Sequence, residues 1–564
     1  MIPHSAKLYG RPISSEWIAQ RNKVVKSPND VPGKFIWESI IDRIRSLPSY
    51  ELDEIYSCES IGTIRDIQFI SDPIELTHID LSECIPEEQI SCHISAQIDG
   101  HVDAIASYFD MYLIDPNVLC SQKTPTENWN IIGTHPDREM NGWDQAIFFS
   151  SRFSNGENST KDDMYSVRRG DVIEITTLIS IDKIKFSWNN LTKYPKPYAS
   201  SLPLSPAPTS CEQNQATLYV HESDMSLLND IFRLHQYMRG TYACINDIHE
   251  NDKGISILEV STGVVSIILM LHDMIRQGKT SSIIDGNDVD KIVINESKLL
   301  APVELCAFFL KLLEQLSIPI NENFEICEFV EPMIFNSDEM SNKFDLIICD
   351  VVESSGLIKQ SVLKNLKYAI EIISTACNKI PRIIPSSIAV VIAAIQCESL
   401  LQQQSVQRQN TLDVDVSTCV DELGTSLLRE LWLPTQSDLK FLSKHIVVTS
   451  LDLNSREYES SSKVHLKMEE TGTVHGIAFW YQIHVYETVN SCQNETHDRI
   501  VIDTYLQNNH YRQAVFLLDS SEAVTEGDIL EVVVCIDEST GVFCSLEGRH
   551  IVDLEADEGE QRCT

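Results

Sequence analysis

The C-terminal part of this chain repeats its N-terminal part, and the repeat keeps its order. Ile2-Pro3-His4-Ser5-Ala6, followed by Glu16-Trp17-Ile18-Ala19-Gln20, returns as Ile384-Pro385-Ser386-Ser387-Ile388, followed by Glu398-Ser399-Leu400-Leu401-Gln402. Gly100-His101-Val102-Asp103-Ala104-Ile105-Ala106 returns as Gly472-Thr473-Val474-His475-Gly476-Ile477-Ala478. Asp144-Gln145-Ala146-Ile147-Phe148 returns as Arg512-Gln513-Ala514-Val515-Phe516, and Arg169-Gly170-Asp171-Val172-Ile173 as Glu526-Gly527-Asp528-Ile529-Leu530. Chance similarity does not preserve order, so the chain holds duplicated domains. A long region of α/β character precedes the second copy and nothing precedes the first. The expectation is a two-module protein that has lost the front of its first module.

At 564 residues the chain exceeds what one core supports, and three or four domains are expected. Lysines and arginines number 44 against 83 acids, a net charge of −39 spread along the chain. Such a surface argues against nucleic acid as a direct ligand and suits a basic partner such as an Arg-rich tail. The plainer reading is that the acidity keeps a large protein soluble. The 16 cysteines are scattered without a CxxC pair, so no metal site is expected. Cys306, Cys349, Cys535 and Cys544 lie in apolar runs and read as buried thiols. Cys492 and His497 read as a loop accident. No signal segment opens the chain and no run reaches about 18 apolar residues. A soluble protein of the cytoplasm or nucleus is expected, without a membrane partner.

Residues 65–195 read as β-structure, with strands over 74–81, 91–97, 104–113 and 146–150 and further strand signals across 171–188. A helical arm over 35–47 interrupts this region. Domain boundaries are expected at 1–195 for the first β domain, 196–216 for a Pro/Ser linker, and 217–383 for an α/β domain. The second β domain then spans 384–553 and an acidic tail 554–564. In the α/β part, helices are expected over 227–238, 264–276, 301–316 and 358–373, and strands over 255–260, 291–295 and 345–350. Alternation of this kind predicts a doubly wound, largely parallel sheet. Residues 402–411 read as a mobile polar loop.

The chemistry of such a sheet belongs at the carboxyl ends of its strands. The first turn reads Ile257-Leu258-Glu259-Val260-Ser261-Thr262-Gly263-Val264-Val265. A cofactor that approaches bare backbone needs glycines there. Only Gly263 remains, while Ser261 and Val265 stand where glycines are expected. Glu296, read as ending the next strand, is placed to accept hydrogen bonds from a ribose; the plainer reading is a helix cap.

The strand order, Leu228-Asn229-Asp230 with Arg233 and Tyr237 ahead of it, and the β domains behind it resemble the protein arginine methyltransferases. The Ile-Pro-x-Ser junctions and the Gln-Ala-Val/Ile-Phe blocks add to the likeness. Two modules point to the tandem members, the seventh and ninth types, and Asp350-Val351-Val352-Glu353-Ser354-Ser355-Gly356 with Leu227-Leu228-Asn229-Asp230 inclines toward the ninth, symmetric-dimethylating type. The resemblance implies a Rossmann-like methyltransferase domain with two β-barrel domains, α/β plus β in class. It implies S-adenosylmethionine as cofactor, with Arg233, Glu259, Gly263 and Glu296 as vestigial contacts. It also implies an Arg-rich protein substrate of RNA processing or chromatin, and an internal pseudo-dimer of the two modules.

In that family two glutamates on one hairpin hold the substrate guanidinium. Here Asp350 stands at the first, Lys359 at the second, and Glu353 lies between them. A lysine there repels a guanidinium at about 4 Å by about 4 kcal/mol, even at an effective dielectric of roughly 20. The family's Thr-His-Trp loop reads Asn509-His510-Tyr511 in the second module and Asn141-Gly142-Trp143 in the first, leaving His510 and Trp143 as its remnants. No intact catalytic set is expected, and the second module reads as a pseudoenzyme. The leading expectation is the C-terminal part of an arginine methyltransferase, inactive alone. Two alternatives stay open: a non-catalytic scaffold or regulator, and a second module that senses the cofactor.

Overall fold

The computed structural model describes residues 3–22, 50–52, 56–59, 61–64, 66–81, 88–113, 131–136, 144–148, 166–179, 184–193, 218–220, 226–227, 229–248, 257–260, 299–302, 324–327, 344–377, 380–404, 428–455, 458, 460–487, 499–505, 510–537 and 541–550. These residues divide into two compact units, with the change between Met225 and Ser226. No described helix is long and apolar enough to cross a membrane.

Among the described residues the N-terminal unit is β apart from the short helix Glu16–Asn22 and one 3-10 turn. Its main sheet runs in the order Tyr56–Glu59, Gln145–Phe148, Ala104–Tyr112, Ser5–Ser14, Gln68–Phe69, with Ile74–Asp80 and Ile131–Gly133 paired alongside. A second sheet runs Ile184–Asn190, Val172–Ile179, Glu88–Ser95. Side chains alternate faces along each strand, and this divides the core in two. Ala104 and Ala106 pack with Ile13, Ile18, Ile61 and Ile147 on the helix side. Ile105 packs with Leu8, Phe148, Ile175, Phe186 and Trp188 between the two sheets.

The C-terminal unit repeats this plan strand for strand. Its main sheet runs Leu428–Leu431, Gln513–Val524, Gly472–Glu487, Ser387–Gln396, Lys440–Phe441, with Ile446–Asp452 and Arg499–Asp503 alongside. The small sheet holds Ser460–Lys467, Ile529–Asp537 and Gly541–His550. Register is repeated as well. Ser5 faces Tyr112 and Asp80, and Ser387 faces His484 and Asp452. A bulge follows Leu8 in one copy and Val390 in the other. The duplication is therefore kept at the level of individual pairs.

Three sequence expectations need correction. Closed barrels are not formed among the described residues: in each β unit the main sheet and the three-stranded sheet remain separate, no ladder joins their edges, and the first unit adds two two-stranded sheets. In the second copy the isolated Ser443–Met468 bridge is the described link between them. Residues 402–404 are not loop but the last turn of the helix Glu398–Gln404. That helix is held by Asp438, whose Oδ2 accepts the Ser399 N–H at 2.7 Å, just as Asp66 Oδ2 accepts the Trp17 N–H at 3.0 Å in the first copy. Cys535 is only half-buried, while Cys349 and Cys544 are buried as expected. The expected arm, linker, tail, Cys306, Cys492 and His497 lie outside the described residues.

Ahead of the second β unit stands a five-stranded sheet in the order Phe324–Cys327, Leu299–Pro302, Ile257–Glu259, Leu346–Ile348, Arg382–Ile384, every pair parallel. The class is thus α/β plus β. Two described helices accompany this sheet, Ile231–Ile248 and Gln360–Cys377. The first begins later than expected because Asp230 caps it, the Arg233 N–H donating to Asp230 Oδ1 at 2.9 Å, and it runs ten residues further. Ala301 and Pro302, expected to open a helix, close a strand instead. The expected helix 264–276 and strand 291–295 lie outside the described residues.

Candidate functional site

The helix Ile231–Ile248 places Arg233 and Tyr237 four residues apart, one turn above the other on the same face. Both are fully buried. They face the carboxyl end of Leu346–Ile348, where Cys349 and Asp350 follow the strand. Arg233 Nη2 lies 2.5 Å from Asp350 Oδ2, an ion pair without the alignment of a hydrogen bond. Lys359 Nζ donates to the same oxygen at 3.0 Å. The Tyr237 hydroxyl makes long contacts to Asp350 Oδ1 at 3.5 Å and the Cys349 carbonyl at 3.4 Å. One carboxylate therefore serves two cations in a place shut off from water.

Electrostatics follow from that packing. Burial pushes the Asp350 carboxyl up, but Arg233 and Lys359 outweigh it and hold it at about 2. Burial works against the charge of Arg233, and Asp350 overcomes it and fixes the proton more firmly than usual. Burial carries the Asp230 carboxyl up to about 6, despite the Arg233 N–H and charge. The Tyr237 and Tyr511 phenols are pushed up by burial as well.

Residues 350–359 form a hairpin whose turn packs on the segment that opens Gln513–Val524. The Glu353 N–H donates to the Leu357 carbonyl at 2.8 Å, and the Arg512 N–H to the Ser354 carbonyl at 2.7 Å. Gly356 has φ +84°, and a Cβ there would lie 2.2 Å from the Arg512 carbonyl oxygen. Only glycine fits. His510 is buried, its N–H directed at Asp230 Oδ2 at 3.4 Å, and burial with the nearby Arg233 charge lowers its imidazole to about 4. Tyr511 is buried beside Arg233, whose Cζ lies 6.0 Å from its ring centroid.

Residues 389–547 match the arginine methyltransferase oligomerization subdomain. The chain is similar to the protein arginine methyltransferases. It is 28% identical over 243 residues to protein arginine N-methyltransferase 9 of Xenopus laevis, covering 40% of this chain and 27% of that protein. Against the Homo sapiens protein of the same name it is 23% identical over 189 residues, 33% of this chain and 20% of the relative. The chain thus spans about a quarter of the length of these relatives. Among solved structures, the Trypanosoma brucei PRMT1 enzyme-prozyme heterotetrameric complex with AdoHcy aligns over 57% of this chain and 92% of that one, at 15% identity and a TM-score of 0.39.

Within this methyltransferase-like unit, Arg233, Asp350, Lys359 and His510 gather around the helix start and the hairpin. Glu353 does not join them: it is exposed and accepts from the Ser355 hydroxyl at 3.0 Å. Glu259 ends its strand fully buried, next to the Asp350 strand. Gly263, Glu296 and Trp143 lie outside the described residues. Asp230, Tyr237 and Tyr511 stand in the motifs quoted from the sequence but without a site role there, because a cap position and two tyrosines carry no local signal of burial beside an arginine.

Proposed function

We propose that this chain supplies the β domain of the first module and a non-catalytic second module of a tandem protein arginine N-methyltransferase. The reaction is methyl transfer from S-adenosylmethionine to an arginine of a protein substrate. The observation that supports it is the strand-for-strand equivalence of the two β units, one of which matches the oligomerization subdomain. In this reading the sheet of five strands is the Rossmann-like domain, and each pair of β sheets stands for a barrel. The domains follow 1–195, 217–383 and 384–553, with a linker at 196–216 and a tail at 554–564. The modules pair internally as a pseudo-dimer.

The division of labour rests on Lys359. Its ammonium lies 3.0 Å from Asp350, the acid to which the family pattern assigns the substrate guanidinium. The chain's own cation takes that place, and Glu353 faces outward. We assign catalysis to the first module and support to the second. Arg233 keeps Nε and Nη1 buried without an acceptor among the described residues. A carboxylate such as the amino-acid end of S-adenosylmethionine fits that need, as a bound group that the second module does not turn over. Glu259 ends the neighbouring strand, fully buried and paired with Ile348.

The net charge of −39 favours Arg-rich targets, among them proteins of RNA processing and chromatin, in cytoplasm or nucleus. The test is transfer of labelled methyl to an Arg-rich protein by the intact tandem protein. We expect labelled methylarginine, at a rate that Lys359→Met leaves within about twofold. A rate lost with Lys359→Met, in a variant whose thermal midpoint is unchanged, would move catalysis into the second module; no methylarginine at all would end the reading.

A further inference from the structure

We propose that an aromatic box on the second β unit is a guanidinium seat for an arginine side chain of a partner protein, filled in the free chain by His445. The rings of Phe441, Trp480 and Tyr505 surround the His445 ring at centroid distances of 4.8, 4.7 and 5.5 Å. All three meet it near edge-on, at 66°, 85° and 85°. Trp480 is the floor, 1% exposed, and Tyr505 leans on it at 4.9 Å. His445 itself is exposed, so the box opens to solvent where its guest enters. Asp503 adds a carboxylate whose field reaches His445. It is held by the Tyr505 N–H at 3.0 Å and by Gln482 Nε2 at 3.1 Å.

The first copy indicates the guest. Phe69 faces Ile13 as Phe441 faces Ile395, so the two phenylalanines are equivalent. Over Phe69 lies a guanidinium: Arg11 Cζ is 3.6 Å from the ring centroid. Arg11 faces Ala106, and its equivalent Ala393 faces Ala478. The second copy keeps the ring, has an alanine in place of the internal arginine, and adds Trp480 where the first has Tyr108. A planar, weakly hydrated guanidinium stacks on aromatic faces better than an ammonium does, and the carboxylate supplies the opposite charge. His445 occupies the seat through ring contacts and the Asp503 field, from an exposed position.

This deepens the arginine-protein reading with a site apart from the hairpin. The experiment follows binding and not methyl transfer, so either can fail without the other. The full chain is titrated with N-acetyl-arginine methylamide while amide and indole resonances are followed. His445→Ala is expected to tighten binding about fivefold, and Phe441→Leu in that background to reverse the gain. N-acetyl-lysine methylamide is expected to bind about fivefold more weakly. Thermal midpoints check folding, and His445→Ser serves if the alanine variant does not fold. The proposal is overturned if vacating the box leaves the affinity unchanged, if Phe441→Leu has no effect, or if the lysine analogue binds equally well.

Discussion

Asp103 and His475 occupy the same position in the two copies and do the same work with different chemistry. Asp103 Oδ2 accepts the Ser15 N–H at 2.9 Å, and His475 Nδ1 accepts the Cys397 N–H at 3.1 Å. Each ties the strand after the repeated glycine to the turn between the first strand and its helix. The buried backbone donor sets the requirement, and two different acceptors meet it.

Removing either acceptor strands that donor. Asp103→Ala is expected to cost about 1–3 kcal/mol, and His475→Ala a similar amount. His475→Asn, which restores an acceptor, should recover part of the loss. Urea unfolding of each variant measures this.

The triad at Asp350 should respond asymmetrically. Asp350→Ala leaves Arg233 and Lys359 buried without their counter-charge and should cost about 3–5 kcal/mol. Lys359→Met keeps the Arg233 pair and should be neutral or stabilising by about 1 kcal/mol. If both variants lose stability equally in calorimetry, Lys359 is a structural partner and not an occupant.

Two carboxyls give opposite pH slopes. Asp350 is held at about 2, so its stabilisation is present above the ordinary carboxyl value of 3.8 and is lost as pH falls toward 2. Asp230 is raised to about 6, so the folded state binds its proton more tightly. That contribution is full below 3.8 and disappears as pH rises to about 6, a change on the order of 3 kcal/mol. Asp230→Asn should flatten the stability profile between about pH 4 and about pH 6 relative to the parent, read from urea midpoints across that range.

Two glycines with the same backbone sign should differ in cost. Gly527 has φ +95°, and a Cβ added there would meet nothing within 4 Å, so Gly527→Ala should cost only about 1–2 kcal/mol of backbone strain. Gly356→Ala adds a clash with the Arg512 carbonyl oxygen and should cost about 3 kcal/mol or more, separating the hairpin from His510 and Tyr511. Equal thermal shifts for the two would argue against the packed hairpin.

Much of the architecture is legible because it is local. The alternation in Ile74–Asp80 and the apolar run of Leu346–Ile348 identify strands wherever they pack. Leu299–Pro302 escapes a sequence reading because proline weighs against a strand, yet it pairs with Ile257–Glu259 and Phe324–Cys327 in the parallel sheet. The end of Glu398–Gln404 escapes it because Gln402-Gln403-Gln404 carries no apolar period that would extend the helix.

By itself the sequence determined the duplication, the α/β and β grammar, and the replacement of a hairpin acid by Lys359. These are matters of residue order and period, which a chain carries before it folds. Tertiary structure decided that the sheets of each β unit stay separate, that Glu353 faces outward while Lys359 and Arg233 converge on Asp350, and that Phe441 lies in a box with His445. Those outcomes depend on burial and on contacts between segments far apart in sequence, where the cost of stripping water from a charge selects its partner.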